Sequence, residues 1–126
     1  MKAVANVNKN IIVVVNSVGP VTMESFADLE NVKVIVWAGL PGQEAGNALV
    51  DVLYGDVSPS GRLPYSIAKN ANDYGTTIQA NADNYKEGLY IDYRALDKNN
   101  IVPRYEFGYG LCKFLPHKYI SNLEYV

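Results

Sequence analysis

The stretch from Val34 to Gly61 limits the fold of this chain more than any other part of the sequence. It opens with Val34-Ile35-Val36, an apolar β-branched run that is too short for a helix and typical of a strand buried on both faces. A turn at 39–42, rich in glycine and proline, then breaks the run. Apolar residues next recur at helical spacing, at Ala45, Ala48, Leu49, Val52 and Leu53. Gly55 suits the left-handed end of that helix, so the stretch predicts a strand, a turn and a helix, the opening half of a βαβ unit.

The start of this helix has two interpretations. Glu44 is expected in the first turn, where a carboxylate complements the helix dipole, and Gly46 suggests close packing of the helix on a sheet. Free amides at a helix start bind anions, which allows a ligand cradle. The sequence has no GxGxxG and no P-loop at this turn, so it favours a plain structural turn over a nucleotide site.

A second β-branched run precedes this unit. Asn10–Asn16 reads as another buried strand, after a lead-in at Ala3–Asn8 that is either the end of a helix or frayed chain. Pro20 suits the first position of a helix, and Val21–Leu29 is predicted to be a short one. A strand, a helix and a strand in about 25 residues imply a right-handed parallel crossover. The predicted fold class is α/β, with a mostly parallel sheet and helices on its faces.

The second half of the chain is less regular. Arg62–Ile67 contains Pro64 and is predicted to be an edge strand or merely extended, and Ala68–Asn84 is a polar, aperiodic loop. Gly88–Arg94 alternates and predicts a strand with Leu89, Ile91 and Tyr93 on the core face. Asp92 and Arg94 would then form a salt pair on the other face, or else a polar binding face beside an aromatic ring.

Composition excludes several classes of function. The chain has 126 residues and a net charge of −2, which suits one domain and gives no basic face for nucleic acid. No apolar run approaches the ~20 residues of a membrane span, and the N-terminus has no signal-peptide core, although a fragment would have lost one. The single Cys112 has no disulfide or CxxC partner, and with His117 close by it is predicted to be a packed side chain rather than a catalytic thiol. No metal or cofactor is predicted.

Four segments together resemble glycoside hydrolase family 3, specifically the fungal and yeast-type β-glucosidases. They occur in the family's order and span nearly the whole chain, at 13–21 (VVVNSVGPV), 37–48 (WAGLPGQEAGNA), 53–65 (LYGDVSPSGRLPY), and 85–94 (YKEGLYIDYR) with 103–111 (PRYEFGYGL). The resemblance implies that residues 1–111 are the second half of the family's three-layer α/β sandwich domain. Residues 112–126 would lead toward a fibronectin-type domain, although Cys112–His117 departs from the usual run there. The family resemblance also suggests a secreted protein.

The resemblance implies retaining hydrolysis of terminal β-glucosyl residues, which needs a nucleophile and a general acid about 5–5.5 Å apart. In the family the nucleophile belongs to the first domain, and the acid/base precedes the segment that matches Val13–Val21. Neither motif occurs here, so no catalytic residue is assigned. The chain is expected to support the acid/base loop and to be inactive alone.

The remaining carboxylates do not supply a pair. Glu87 and Asp92 would point to opposite faces of a strand, and Glu44 and Asp51 lie nearly two helical turns apart. Glu106 is expected to pair with Arg104.

Two alternatives stay open. One is a carbohydrate-binding or interaction module in which tyrosines form a stacking platform, at Tyr65, Tyr74, Tyr85, Tyr90, Tyr93, Tyr105 and Tyr109. The other is a small autonomous glycosidase with an unrecognised carboxylate pair. In either case half a parallel sheet leaves a strand edge open, bordered by Val13–Val15 or Val34–Val36, so self-association is expected.

Overall fold

The computed structural model describes residues 1–76 and 85–110. In chain order the elements are helix α1 (Lys2–Ala5), strand β1 (Ile11–Val15), strand β2 (Val32–Trp37), helix α2 (Ala45–Tyr54), a 3₁₀ turn (Ala71–Tyr74) and helix α3 (Tyr93–Lys98). The predictions for Cys112, His117 and the 112–126 tail lie outside the described residues.

The two predicted strands are confirmed. β1 and β2 pair in parallel, with Ile12 opposite Val34 and Val13 opposite Ile35. Continuous β-branched runs give this result because branched side chains pack well on a pleated surface. The strands are not buried on both faces among the described residues, since Ile12 is 51% and Val34 46% exposed.

The helix predicted over Val21–Leu29 is wrong. The segment forms turns, with one helical bond from the Ala27 N–H to the Met23 carbonyl (2.8 Å) that is not continued. A helix of nine residues is marginal without tertiary support. Here Met23 is buried, and Asp28 is held by Arg104 from the far end of the chain, so tertiary contacts fix the turn.

Helix α2 forms where the apolar periodicity predicts it, and it ends as expected. Gly55 adopts φ +90° and donates its N–H to the Asp51 carbonyl. Glu44 is the residue that precedes the first turn rather than a member of it. The expectation of close packing at Gly46 is wrong within the described residues, because a Cβ at that position would meet no atom within 4 Å.

The small core draws on both halves of the chain and includes the segment Ser66–Ala68. Met23, Ile67 and Leu96 are the large side chains that are fully buried there. Ile67 forms an antiparallel bridge with Tyr105, and the Leu63 N–H donates to the Tyr109 carbonyl (2.9 Å). The segment with Pro64 is therefore extended, with only this isolated bridge.

The strand predicted at Gly88–Arg94 is also wrong. The chain turns at 86–89, and α3 starts at Tyr93 after Asp92, whose φ is +48°. Asp92 does not pair with Arg94: its carboxylate accepts the Ser66 N–H (2.8 Å) and the Ser66 hydroxyl (3.3 Å). These bonds hold Asp92 at the start of a helix whose Ala95 and Leu96 enter the core.

The first part of the predicted polar loop, up to Tyr74, has a defined structure. Ala68 is fully buried, and the 3₁₀ turn that follows is capped reciprocally by Asn70 and Asp73. Residues 77–84 of that loop lie outside the described residues.

Candidate functional site

The loops that follow β1 and β2 meet at one edge of the sheet, where open α/β sheets place their ligands. The Ser17 N–H donates to the Gly39 carbonyl (3.0 Å), and the Ala38 N–H donates to the Val15 carbonyl (2.9 Å). The Ser17 hydroxyl closes its own loop by donating to the Gly19 carbonyl (2.8 Å). The carboxyl edge is thus built from backbone hydrogen bonds between the two loops.

The turn at the start of α2 already carries an acidic side chain. The Glu44 carboxylate accepts from the Asn47 amide (2.6 Å), and both residues are exposed. The Glu44 carboxylate already interacts favourably with the positive end of the helix dipole. Its negative charge would repel a bound anion at the same place. The geometry therefore favours the structural turn over the anion cradle.

A groove of about 690 Å³ runs along β2, and no residue of β1 lines it. Successive residues from Val32 to Gly39 form one wall, and the opposite wall comes from the extended segment 59–65. Trp37 crosses to Tyr65 at one place, donating its indole N–H to the tyrosine oxygen (2.9 Å) with the rings edge to face. Among the described residues that line this groove there is no Asp and no Glu, so it offers no acid/base pair to a glycosidic bond.

Two carboxylates do approach each other elsewhere, around Arg104. Its guanidinium donates to both oxygens of Asp28 and lies 3.7 Å from Glu24. The hydrogen bond from Arg104 lowers the pKa of Asp28. A general acid needs a raised pKa, and neither carboxylate lines the groove. This cluster is therefore an ion-pair clamp between the 24–28 turn and the segment around Arg104.

The predicted pairing of Glu106 with Arg104 is therefore wrong. Asp28 and Arg104 are 76 residues apart, so no local spacing in the sequence could have indicated their contact.

A second polar cluster surrounds Ser66. Asp92 binds its N–H and hydroxyl, while the Tyr74 hydroxyl donates to its carbonyl (3.1 Å) and accepts the Ala68 N–H (2.9 Å). Burial raises the pKa of Tyr74 above 10.0. Ser66 is fully buried, so its hydroxyl is no accessible nucleophile, and the cluster fixes the backbone beside the groove.

The other predicted residues are scattered. Asp51 lies on the exposed side of α2, and Glu87 is in the turn before α3, where its carbonyl accepts the Tyr90 N–H (3.0 Å). The argument that placed Glu87 and Asp92 on opposite strand faces no longer applies, because that strand is absent from the described 85–110 region.

The tyrosines occupy several places. Tyr65 contacts Trp37, Tyr74 lies in the Ser66 cluster, and Lys98 sits 3.7 Å above the Tyr90 ring. Tyr85 is exposed. The remaining rings form two tilted pairs, Tyr93 with Phe107 (5.4 Å) and Tyr105 with Tyr109 (5.0 Å).

Across residues 1–76 and 85–110, no three histidine, cysteine or acidic side chains gather in a group able to hold a metal ion. In the same part of the chain, no helix has the length and apolar character to cross a bilayer.

The sequence matches the model of the glycosyl hydrolase family 3 C-terminal domain over residues 1–112. It is 64% identical over 112 residues to "Probable beta-glucosidase L" of Neosartorya fischeri, covering 88% of this chain and 15% of that protein. The chain thus spans about 15% of the length of this curated relative.

Solved structures agree. The fold is similar to that of beta-D-glucoside glucohydrolase from Trichoderma reesei, with a TM-score of 0.84 and 60% identity over 89% of this chain and 16% of that one. It is equally similar to beta-glucosidase D2-BGL from Chaetomella raphigera, with a TM-score of 0.84 and 61% identity over 88% and 16%. The family match covers most of the chain, and the solved structures share its fold at 60% identity or more. The chain therefore belongs to the glycosyl hydrolase family 3 C-terminal domain family.

Proposed function

We propose that this chain is the part of a β-glucosidase that supports the acid/base loop, and that it contributes no reacting group to the hydrolysis of terminal β-glucosyl residues. The relatives that it resembles are named β-glucosidases. Its carboxyl edge is bonded through the backbone between Ser17 and Gly39, which suits a rigid support for a neighbouring loop.

The observation that carries this proposal is the placement of the acids. Retaining hydrolysis needs one carboxylate as nucleophile and one raised in pKa as general acid, about 5–5.5 Å apart in a cleft that takes a sugar. Within the described residues, the groove along β2 has no carboxylate in its walls. The acids that do converge, Glu24 and Asp28, both face Arg104, and the hydrogen bond from Arg104 lowers the pKa of Asp28.

The domain boundaries follow from the same proposal. Residues 1–111 form the second half of a three-layer α/β sandwich, and residues 112–126 lead toward a fibronectin-type domain. The half-exposed strands support this, since the uncovered side chains of Ile12 and Val34 leave apolar surface on the two-stranded sheet for further layers to cover.

Carbohydrate binding is a second candidate. Tyr90 is half exposed and borders an open cavity of about 550 Å³ with Leu89, Arg94, Asp97 and Lys98. A half-exposed ring beside hydrogen-bonding side chains is a suitable surface for a sugar, although Lys98 covers one face of the ring. Titration with cellobiose, compared between the native chain and Tyr90→Ala, distinguishes this function from the scaffold.

The uncovered strands also support self-association. Unpaired backbone groups at a sheet edge bind another strand, and the described sheet has two strands.

The experiment is a turnover assay of the 126-residue chain with an aryl β-glucoside. We expect release of the aryl group no faster than in a blank, with Glu24→Gln and Asp28→Asn showing the same background. A rate well above the blank that disappears with one carboxylate substitution would refute the scaffold and establish the autonomous glycosidase.

A further inference from the structure

The segment 85–91 is attached to the rest of the described chain at few points. All of its residues except Glu87 are exposed. The backbone hydrogen bonds recorded for it stay within the segment or come from Arg94, at the start of α3. The helix itself is anchored, because Ala95 and Leu96 are buried in the core. The position of the segment is therefore set where it joins the helix.

Asp92, at this junction, has a backbone conformation that residues with a Cβ rarely adopt. Its φ is +48° and its ψ is −129°, close to the first central position of a type II′ turn, which glycine favours. Such a conformation is strained in other residues and persists only where the surroundings hold it. The hold on Asp92 is its own carboxylate, which accepts the N–H (2.8 Å) and the hydroxyl (3.3 Å) of the buried Ser66.

The junction also sets the shape of the open cavity beside Tyr90. One wall, with Tyr90, precedes Asp92 in the chain, and the other wall, with Lys98, follows it. The Lys98 ammonium lies 3.7 Å from the centroid of the Tyr90 ring, so the two walls are in contact. A rotation of the backbone at Asp92 would swing the walls apart and end this contact.

We propose that Asp92 is a strained latch, whose bonds to Ser66 hold the segment 85–91 against α3 and so keep Lys98 on the Tyr90 ring. When those bonds are lost, the backbone at Asp92 relaxes and the segment turns away, while α3 stays in the core. A ligand that touches both walls of the cavity would bind only the latched state. The scaffold proposal does not depend on this latch.

The contact between Lys98 and Tyr90 gives a direct readout of the latch. The side-chain protons next to the Lys98 ammonium lie over the ring, so their NMR resonance is shifted upfield, and Tyr90→Leu supplies the unshifted reference. In the 126-residue chain, we expect Asp92→Ala to lose this shift, because it loses the bonds and keeps the strain. Asp92→Gly loses the bonds and the strain together, and we expect it to retain at least half of the shift.

The same two replacements are compared in stability, with Asp97 as the matched control. Asp97 is exposed in the regular helix α3, where glycine is a worse replacement than alanine. At Asp92 the order should be reversed. We therefore expect a higher urea midpoint for Asp92→Gly than for Asp92→Ala, and a lower one for Asp97→Gly than for Asp97→Ala.

The latch would be overturned by a retained shift in Asp92→Ala, by a lost shift in a folded Asp92→Gly, or by the same order of midpoints at both positions. If Asp92→Ala does not fold, Asp92→Gly decides alone. A folded Asp92→Gly chain that keeps the shift supports the latch, and an unfolded chain or a lost shift refutes it.

Discussion

Removal of one hydroxyl group, in Tyr74→Phe, tests whether the cluster around Ser66 holds the core together. The Tyr74 oxygen is hydrogen bonded to the Ser66 carbonyl (3.1 Å) and the Ala68 N–H (2.9 Å), and both partner residues are buried. An unsatisfied buried polar group costs about 1–3 kcal/mol. Leaving both groups unpaired would therefore lower the free energy of unfolding by ~2–6 kcal/mol. The low end of this range applies here, because Tyr74 is only half buried and water reaches the groups that lose their partner.

We therefore expect Tyr74→Phe to lower the free energy of unfolding by about 2 kcal/mol at pH 7, which corresponds to roughly 8 °C in Tm for a chain of this size. Tyr54→Phe is the control, because Tyr54 is 82% exposed on α2. Urea denaturation followed by the fluorescence of Trp37, the only tryptophan, measures both. If the two variants agree within about 0.5 kcal/mol, the two hydrogen bonds do not stabilise the core as argued.

The same residue gives a dependence on alkaline pH. Burial raises the pKa of Tyr74 above its ordinary 10.0, so the folded chain holds this proton more tightly than the unfolded chain does. Its contribution is complete below pH 10.0 and is lost as the pH rises through the folded pKa. The native chain should therefore lose stability more steeply above pH 10 than Tyr74→Phe does.

Two further predictions concern the acids. Because Arg104 lowers the pKa of Asp28 below 3.8, the contribution of Asp28 to folding stability is present above pH 3.8 and is lost as the pH falls through the folded pKa. Denaturation midpoints between pH 6 and 2 should therefore fall less steeply in Asp28→Asn than in the native chain, with Asp56→Asn as the control. Identical slopes would contradict the clamp. Asp92→Ala should lower the free energy of unfolding by about 1.5–3 kcal/mol, because it removes a charge-assisted hydrogen bond to the buried Ser66 N–H. Asp92→Asn keeps an acceptor and should lower it less. Equal losses of stability in urea denaturation would count against this role of Asp92.

Local pattern predicts part of this fold. β1, β2 and α2 each have an uninterrupted β-branched run or a helical apolar period, and Gly55 marks the end of α2 as expected. These signals lie within the element itself, so the sequence displays them directly.

The two wrong predictions of secondary structure share one physical cause. The helix at 21–29 and the strand at 88–94 are displaced by contacts to distant residues, with Asp28 bound to Arg104 and Asp92 bound to Ser66. Asp92 is 26 residues from its partner, and no helical or strand period extends over that separation. The alternation at Leu89–Tyr93 resembles a strand, but the buried pair Ala95 and Leu96 gives a helix its core contact instead.

The candidate site was predictable only through the family resemblance. Segment order indicated family 3, and the family match over residues 1–112 confirms it. The clamp at Arg104 and the wall along β2 depend on tertiary contacts, so they became visible only with the fold.

Covalent labelling tests the central claim, that this chain holds no glycosidic nucleophile, most directly. A retaining hydrolase forms a glycosyl-enzyme through a carboxylate, and an activated 2-deoxy-2-fluoro-β-glucoside traps that species. After incubation of the 126-residue chain with this reagent, we predict an unchanged intact mass. A stoichiometric gain of one fluoroglucosyl group, mapped to a single Asp or Glu, would contradict the account.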